Sequence, residues 1–159
     1  MKIQAPLRSE GFTLIEVLVV IGIIAILAAV VLVAVNPVRQ FKLARDSQRT
    51  ANVAALLDAI HENMSEHRGS FVCGGNVRQI PATYTDVRYG GGYPSYLGDI
   101  ALCLVPDYIS ALPFDPAIPG ARFASTTDYD TGYEIAQDAN GRITASSTGE
   151  LVPTISVTR

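Results

Sequence analysis

The sequence predicts an α+β fold: a long N-terminal α-helix, its first half a hydrophobic anchor, packed on a small antiparallel β-sheet. Three observations carry that expectation. An apolar run and its helical continuation occupy residues 12–68. A Gly- and Pro-rich region then breaks the pattern. Short alternating segments around an Asn-Gly turn close the chain.

From Val17 to Val35, nineteen consecutive residues carry no charge. Counting back to Phe12 gives twenty-four, with Glu16 the one ionisable side chain. A helix of that length crosses the apolar core of a bilayer. Many of these residues are β-branched, which lowers helix preference in water. In lipid a spanning segment must satisfy its own backbone groups, so helix is expected. A secretory signal peptide has a shorter apolar region and a small-residue cleavage site behind it. Here the run is longer, and Ala34-Val35-Asn36-Pro37 offers no clean site. A retained single-pass anchor is the expectation. Lys2 and Arg8 favour a cytoplasmic N-terminus. Arg39, Lys42, Arg45 and Arg49 beyond the other end oppose it, so charge alone does not orient the segment.

Asn36-Pro37 is the first strong breaker, because proline lacks an N–H and clashes with the preceding turn. Helix-compatible sequence resumes at once. Val53, Leu56, Leu57, Ile60 and Met64 form one apolar stripe at helical spacing. Arg39, Lys42, Arg45, Asp46, Arg49, Asp58 and Glu62 read as polar surface, with Asp46 in reach of Lys42 and Arg49. The expected element is one helix from Phe12 to Arg68, about 85 Å long, kinked or melted at Pro37. Gly69 and Ser70 end it.

Residues 71–98 read mainly as loop, with Val77 to Ile80 as a possible strand edge. Tyr84, Tyr89, Tyr93 and Tyr96 either form a ligand-contacting surface or pack their rings and leave the hydroxyls wet. Leu102, Leu104, Ile109 and Leu112, divided by prolines, are expected to cover the helix stripe. Strands are expected at 132–136 and 142–146 around Asn140-Gly141, a hairpin signal. A third is expected at 154–158. Three strands packed on a helix escape the instability of an isolated hairpin.

The composition argues against several chemistries. The net charge is −3 and no basic, aromatic-rich stripe is present, so no nucleic-acid partner is expected. The cluster Arg39, Lys42, Arg45 and Arg49 suits phosphate, lipid headgroups or another subunit. His61 and His67 are six apart and do not share a helical face, so no metal is expected there. Asp128-Tyr129-Asp130-Thr131-Gly132 places carboxylates before a turn, open to calcium or simply solvated. The sequence has neither a phosphate-binding glycine loop nor an HExxH zinc motif. The expectation is a protein that is not an enzyme and has no cofactor. Cys73 and Cys103 either form a disulfide in an outward-facing domain or remain as two buried thiols.

Glu16 needs its own account. An ionisable residue in a membrane segment is a functional-site hypothesis by default. It can stay near the headgroups, become neutral, or meet a cation on another protein. A free amino terminus produced by cutting before Phe12 would be such a cation. Gly11, lacking a side chain, would suit the protease.

The string Gly11-Phe12-Thr13-Leu14-Ile15-Glu16, followed by the long apolar run, closely resembles the N-terminus of the type IV pilin family. That family includes pilins, minor pilins and the pseudopilins of type II secretion. Leu112-Pro113 and Asp115-Pro116 resemble a less specific pair of motifs that leads into the C-terminal sheet of pseudopilins and small pilins. Ala117 stands where the main secretion pseudopilin commonly has tryptophan.

The resemblance implies that a prepilin peptidase cuts between Gly11 and Phe12 and N-methylates Phe12. Glu16 then becomes the fifth residue and serves assembly, paired with the Phe12 amine of a neighbouring subunit. Residues 1–11 would be a cytoplasmic leader and 12–35 a transmembrane or filament-core helix. Residues 36–68 would be its amphipathic continuation, and 69–159 an exposed domain. The expected function is that of a structural subunit of a type IV pilus-like filament. Alternatives are a type II secretion pseudopilin, a minor pilin for adhesion or DNA uptake, or an anchored binding module that never polymerises. Expected partners are homologous pilin or pseudopilin subunits, the prepilin peptidase/methyltransferase, the inner-membrane assembly platform and, before assembly, the lipid bilayer. The C-terminal domain would be extracytoplasmic, in a cell-surface or periplasmic filament after assembly.

Overall fold

The structure, a computed structural model, describes residues 11–90 and 100–159. The expectations for residues 1–10, Tyr93 and Tyr96 lie outside the described residues. The chain divides into two units, Met1–Gln40 and Phe41–Arg159.

The first unit is built on helix α1, Leu14–Val35. Thr13 caps it with a capping box: the Thr13 hydroxyl accepts from the Glu16 amide, and the Glu16 carboxylate accepts from the Thr13 amide. Its 22 residues rise about 33 Å, enough for a hydrocarbon core of about 30 Å. None of them is buried. Helix α2, Pro37–Glu66, follows directly and runs into the second unit.

The single kinked helix expected from the sequence is therefore two helices, and the break lies at Asn36 rather than Pro37. Asn36 adopts left-handed backbone with φ 46°, a region that asparagine tolerates better than most residues. It closes α1 and caps α2 at once. Its carbonyl accepts from the Arg39 and Gln40 amides at 3.1 and 3.3 Å. Its side-chain oxygen accepts from the Arg39 amide at 3.2 Å. Pro37 then occupies the first helical position, where its missing N–H has no partner to lose.

The second unit, here called the head, packs α2 against an antiparallel sheet. This is the expected α+β, pilin-like arrangement. Helix α2 ends at Glu66, short of the expected Arg68, because Arg68 and Gly69 turn left-handed with φ 58° and 87°. The Gly69 amide reaches back to the Met64 carbonyl at 2.8 Å, a Schellman-type stop. A small hairpin follows, β1 (Val72–Cys73) and β2 (Asn76–Val77), turned by Gly74 and Gly75. Strand β3 (Thr85–Arg88), helix α3 (Ile100–Leu104) and strands β4 (Arg122–Ser125), β5 (Asp128–Gln137), β6 (Ile143–Thr148) and β7 (Thr154–Thr158) complete the described elements.

Among the described residues the main sheet has five strands rather than three, ordered β3-β5-β6-β7, with β4 also on β5. Asp130 pairs with Arg88 of β3 and Arg122 of β4, and Glu134 pairs with Asp86 of β3 and Ser146 of β6. A strand has two edges, so β4 and β6 share one edge of β5, end to end. The segment 128–132, expected as a turn, is the first half of β5. The Asn140-Gly141 hairpin and the final strand stand where they were expected. Asp138 organises that turn by accepting from the Asn140 and Arg142 amides, both at 2.9 Å.

Alternation puts Tyr129, Thr131, Tyr133 and Ile135 of β5 inward, with Ile143 and Ala145 of β6 and Ile155 of β7. They meet the stripe Val53, Leu56, Leu57 and Ile60, all fully buried, with Met64 packed at its edge. Each fully buried aliphatic side chain contributes roughly 1.5–3 kcal/mol. From the proline-divided segment, Leu104 and Leu112 join this core and Ile109 packs on it. Leu102 does not: it is 54% exposed, because α3 turns Ile100, Ala101 and Leu104 inward and leaves Leu102 on its far side. Tyr84 and Tyr89 are exposed, and the Tyr89 ring rests 6.4 Å from that of Tyr129.

Candidate assembly site and the polar lock of the head

Gly11, Phe12 and Thr13 precede the first helical turn and are exposed. Gly11 is not in the left-handed region, so what it offers there is the absence of a side chain, with open space around it. Exposed backbone outside a helix is what a protease needs at a cutting point. Glu16 lies three residues inside the cap, one turn from Phe12, on a helix that is otherwise apolar on every side. The first turn favours a carboxylate, since the unpaired amides there carry partial positive charge. The structure thus brings Gly11, Phe12 and Glu16 to one helix end.

Cys73 and Cys103 form a disulfide with Cα atoms 4.9 Å apart, joining β1 to α3. Buried Asn63 supports the same junction. Its side-chain amide donates to the Val72 carbonyl and its oxygen accepts from the Val72 amide, each at 2.9 Å. The cysteines lie in the head, remote in sequence from Gly11, Phe12 and Glu16.

The largest departure from the sequence reading is a buried charge network on α2. Asp46 and Arg49, expected on polar surface, are buried. Arg49 grips Asp115 with two parallel bonds, Nε to Oδ2 at 2.7 Å and Nη2 to Oδ1 at 3.1 Å. Its Nη1 donates to Asp46 at 2.8 Å and to Glu150 at 3.3 Å. Arg45 forms a second two-pronged pair with Glu150. Asp46 also accepts from the Glu150 and Leu151 amides at 2.9 and 2.8 Å. Asp115 accepts from the Ala117 and Ile118 amides and from Ser147. Among the described residues no buried side-chain polar atom lacks a partner.

The ionisation follows from these contacts. The Glu150 amide, then those of Leu151 and the Arg49 guanidinium, outweigh burial and lower Asp46 to about 2. Burial pushes Asp115 up, but Arg49 and the two amides more than offset it and hold it below the usual carboxylate range. The hydrogen bond from Arg45 lowers Glu150. The bond to Asp115 raises Arg49 further above its ordinary value. Arg45 and Arg49 are therefore committed to carboxylates inside the head, which removes half of the expected basic cluster from any phosphate-binding role.

The signal for this network was present in the spacing. Positions 46, 49, 53, 56 and 60 recur every three or four residues, so Asp46 and Arg49 extend the apolar stripe upstream on the same face. Asp115 belongs to the Asp115-Pro116 pair, and no local pattern tied it to Arg49.

Asp128 pairs with Arg122, and Asp130 accepts from the Gly132 amide at 3.0 Å. Among the described residues, no three His, Cys, Asp or Glu side chains gather as a metal site. No curated protein and no solved structure is significantly similar to the chain. Residues 7–32 match the family profile described as the prokaryotic N-terminal methylation motif. With that motif, the N-terminus carries the signature of the type IV pilin and pseudopilin family.

Proposed function

We propose that the chain is a structural subunit of a type IV pilus-like filament, cut before Phe12, methylated there, and assembled through its N-terminal helix. The observation that supports this most is the helix start: an exposed Gly11-Phe12 step outside any helix leads through an extended Thr13 into a capped helix with no buried residue. Twenty-two helical residues, apolar except for Glu16 and left bare, require lipid or other helices around them. In this reading they have lipid first and neighbouring subunits afterwards, with the head on the extracytoplasmic side. The peptidase/methyltransferase and the inner-membrane assembly platform are its processing and assembly partners. Cutting before Phe12 frees an ammonium group at the helix end, and Glu16 receives that of a neighbour. A charge-assisted bond in a low-dielectric bundle favours one register over sliding apolar contacts.

The Leu112-Pro113 and Asp115-Pro116 pairs favour a second reading, a type II secretion pseudopilin. A filament confined to the periplasm would select it over a surface pilus.

Mass spectrometry of the protein from its own cells is expected to find N-methylphenylalanine at position 12 as the first residue. Glu16→Ala and Glu16→Leu are expected to stay in the membrane fraction and fail to enter filaments. A chain still starting at Met1 would sink the processing step, and normal incorporation of both variants would sink the pairing.

A further inference from the structure

The end of the head where α2 stops carries a cleft with unused binding groups. Residues 77–82 form one wall and residues 137–139 the other, around a volume of about 870 Å³. Ligand clefts hold roughly 300–1,000 Å³. A smaller hollow of about 190 Å³ adjoins it along residues 77–80 and reaches Met64 and Phe71. A proline opens the cleft. Thr85 pairs with Ile135, so Gln137 is the next position of β5 whose backbone faces the β3 side. Its amide donates to the Pro81 carbonyl at 2.8 Å. Pro81 has no N–H to return, and the Gln137 carbonyl takes no hydrogen bond among the described residues. The chain before Pro81 therefore leaves the sheet. The amides and carbonyls of Gln79 and Ile80 have no partner among the described residues either, although Ile80 is buried. Backbone groups in such a place call for one.

Charge decides what the cleft takes. Arg45, Arg49, Arg88, Arg122, Arg142 and Arg159 each meet a carboxylate. Arg78, half-buried on the cleft wall, meets none among the described residues. The carboxylate in the lining, Asp138, is already committed. It accepts from the Asn140 and Arg142 amides and pairs with the Arg142 guanidinium at 2.7 Å. A guanidinium fork matches the geometry of a carboxylate. Beside it, Val77, Pro81 and Ala139 supply apolar wall. Main-chain groups to pair, apolar wall and one fork together suit an extended peptide. A free small acid would fill the fork and leave the main-chain groups of Gln79 and Ile80 unpaired.

We propose that this cleft binds an extended peptide segment of a partner protein. The segment lies beside Gln79 and Ile80, with an Asp or Glu side chain on Arg78 and an apolar neighbour on Val77 and Pro81. The site lies wholly within the head and does not depend on cleavage before Phe12.

The probe is a phage-displayed library of random heptapeptides, selected on the full-length chain in detergent. The selected sequences are expected to carry Asp or Glu beside an apolar residue. Synthetic copies should bind Arg78→Gln about tenfold more weakly, the scale of one charge-assisted pair. They should bind Arg68→Gln as they bind the parent, since Arg68 is exposed and outside the cleft. Circular dichroism checks that both variants keep their fold. In the complex, the amide resonances of residues 78–82 and 137–139 should shift, and the amides of Gln79 and Ile80 should gain protection from hydrogen exchange. A selection that enriches no acidic peptide overturns the proposal, as does equal affinity for Arg78→Gln. Sodium isobutyrate is the probe for a free acid. If it shifts the same resonances as far as the peptides do, and the peptides bring no protection at Gln79 and Ile80, the peptide site is overturned and the cleft belongs to a small acid.

Discussion

Arg49 is a charged residue on a helix surface by sequence and the centre of the head by structure. Only 3% of its side chain and none of that of Asp115 is exposed. A buried guanidinium is tolerated when its donors are matched in geometry, and here both prongs meet Asp115 while a third donor meets Asp46. Removing it strands two carboxylates away from water. Arg49→Leu is expected to destabilise the head by roughly 3–5 kcal/mol, as for a broken buried pair. Arg49→Lys keeps the charge and loses the planar fork, so it should recover only part of this. Denaturant unfolding of the detergent-solubilised chain measures both, and a loss below about 1 kcal/mol, the scale of exposed pairs, would remove the lock from the stability of the head. This residue also shows where sequence reading stops. The Asp46–Arg49 spacing was visible at three residues. The partner at Asp115 lies 66 residues away, and only the fold brings it near.

Elements were legible in proportion to how locally they are specified. The apolar stripe of α2, the Asn140-Gly141 hairpin and β7 follow from period and turn chemistry within a few residues. Strands β3 and β4 have four residues each, mostly polar, and become strands only because β5 supplies their pairing. The prolines that flank α3 hid its single short turn. The break at Asn36 was misplaced by one residue because proline reads as a breaker, whereas at the first helical position it is accommodated. The cysteine pair is the element-scale device that joins the β1–β2 hairpin to α3 across 30 residues. In the loop-entropy account such a closure contributes roughly 3–4 kcal/mol. Because Asn63 holds β1 independently, the double variant Cys73→Ala/Cys103→Ala should keep its sheet and lose about 2–4 kcal/mol. Hydrogen exchange is expected to rise in 71–77 and 100–104 and to stay unchanged in β5 and β6. Loss of protection throughout the sheet would show that the disulfide is required for the whole head.

At the scale of the molecule, the two units differ in what they bury. Helix α1 buries nothing in the chain, and the head's core is assembled entirely from residues at or beyond Val53. Acid should therefore act on the head through its carboxylates. Three of them converge on Arg45 and Arg49, and all three are lowered in the folded state: Asp46 to about 2, and Asp115 and Glu150 in the same direction. A group with a lowered folded pKa takes up its proton more readily when unfolded. Its contribution is complete above the ordinary values of 3.8 and 4.5 and disappears as pH falls through the folded values. Stability of the full-length chain in detergent should thus be flat down to about 5 and fall steeply from there towards about 2. Asp46→Asn sharpens the test. It keeps the shape and cannot take up the proton, so it should be less stable near neutrality and show a shallower acid limb. An acid limb as steep as in the parent chain would mean that the lock does not set the acid response.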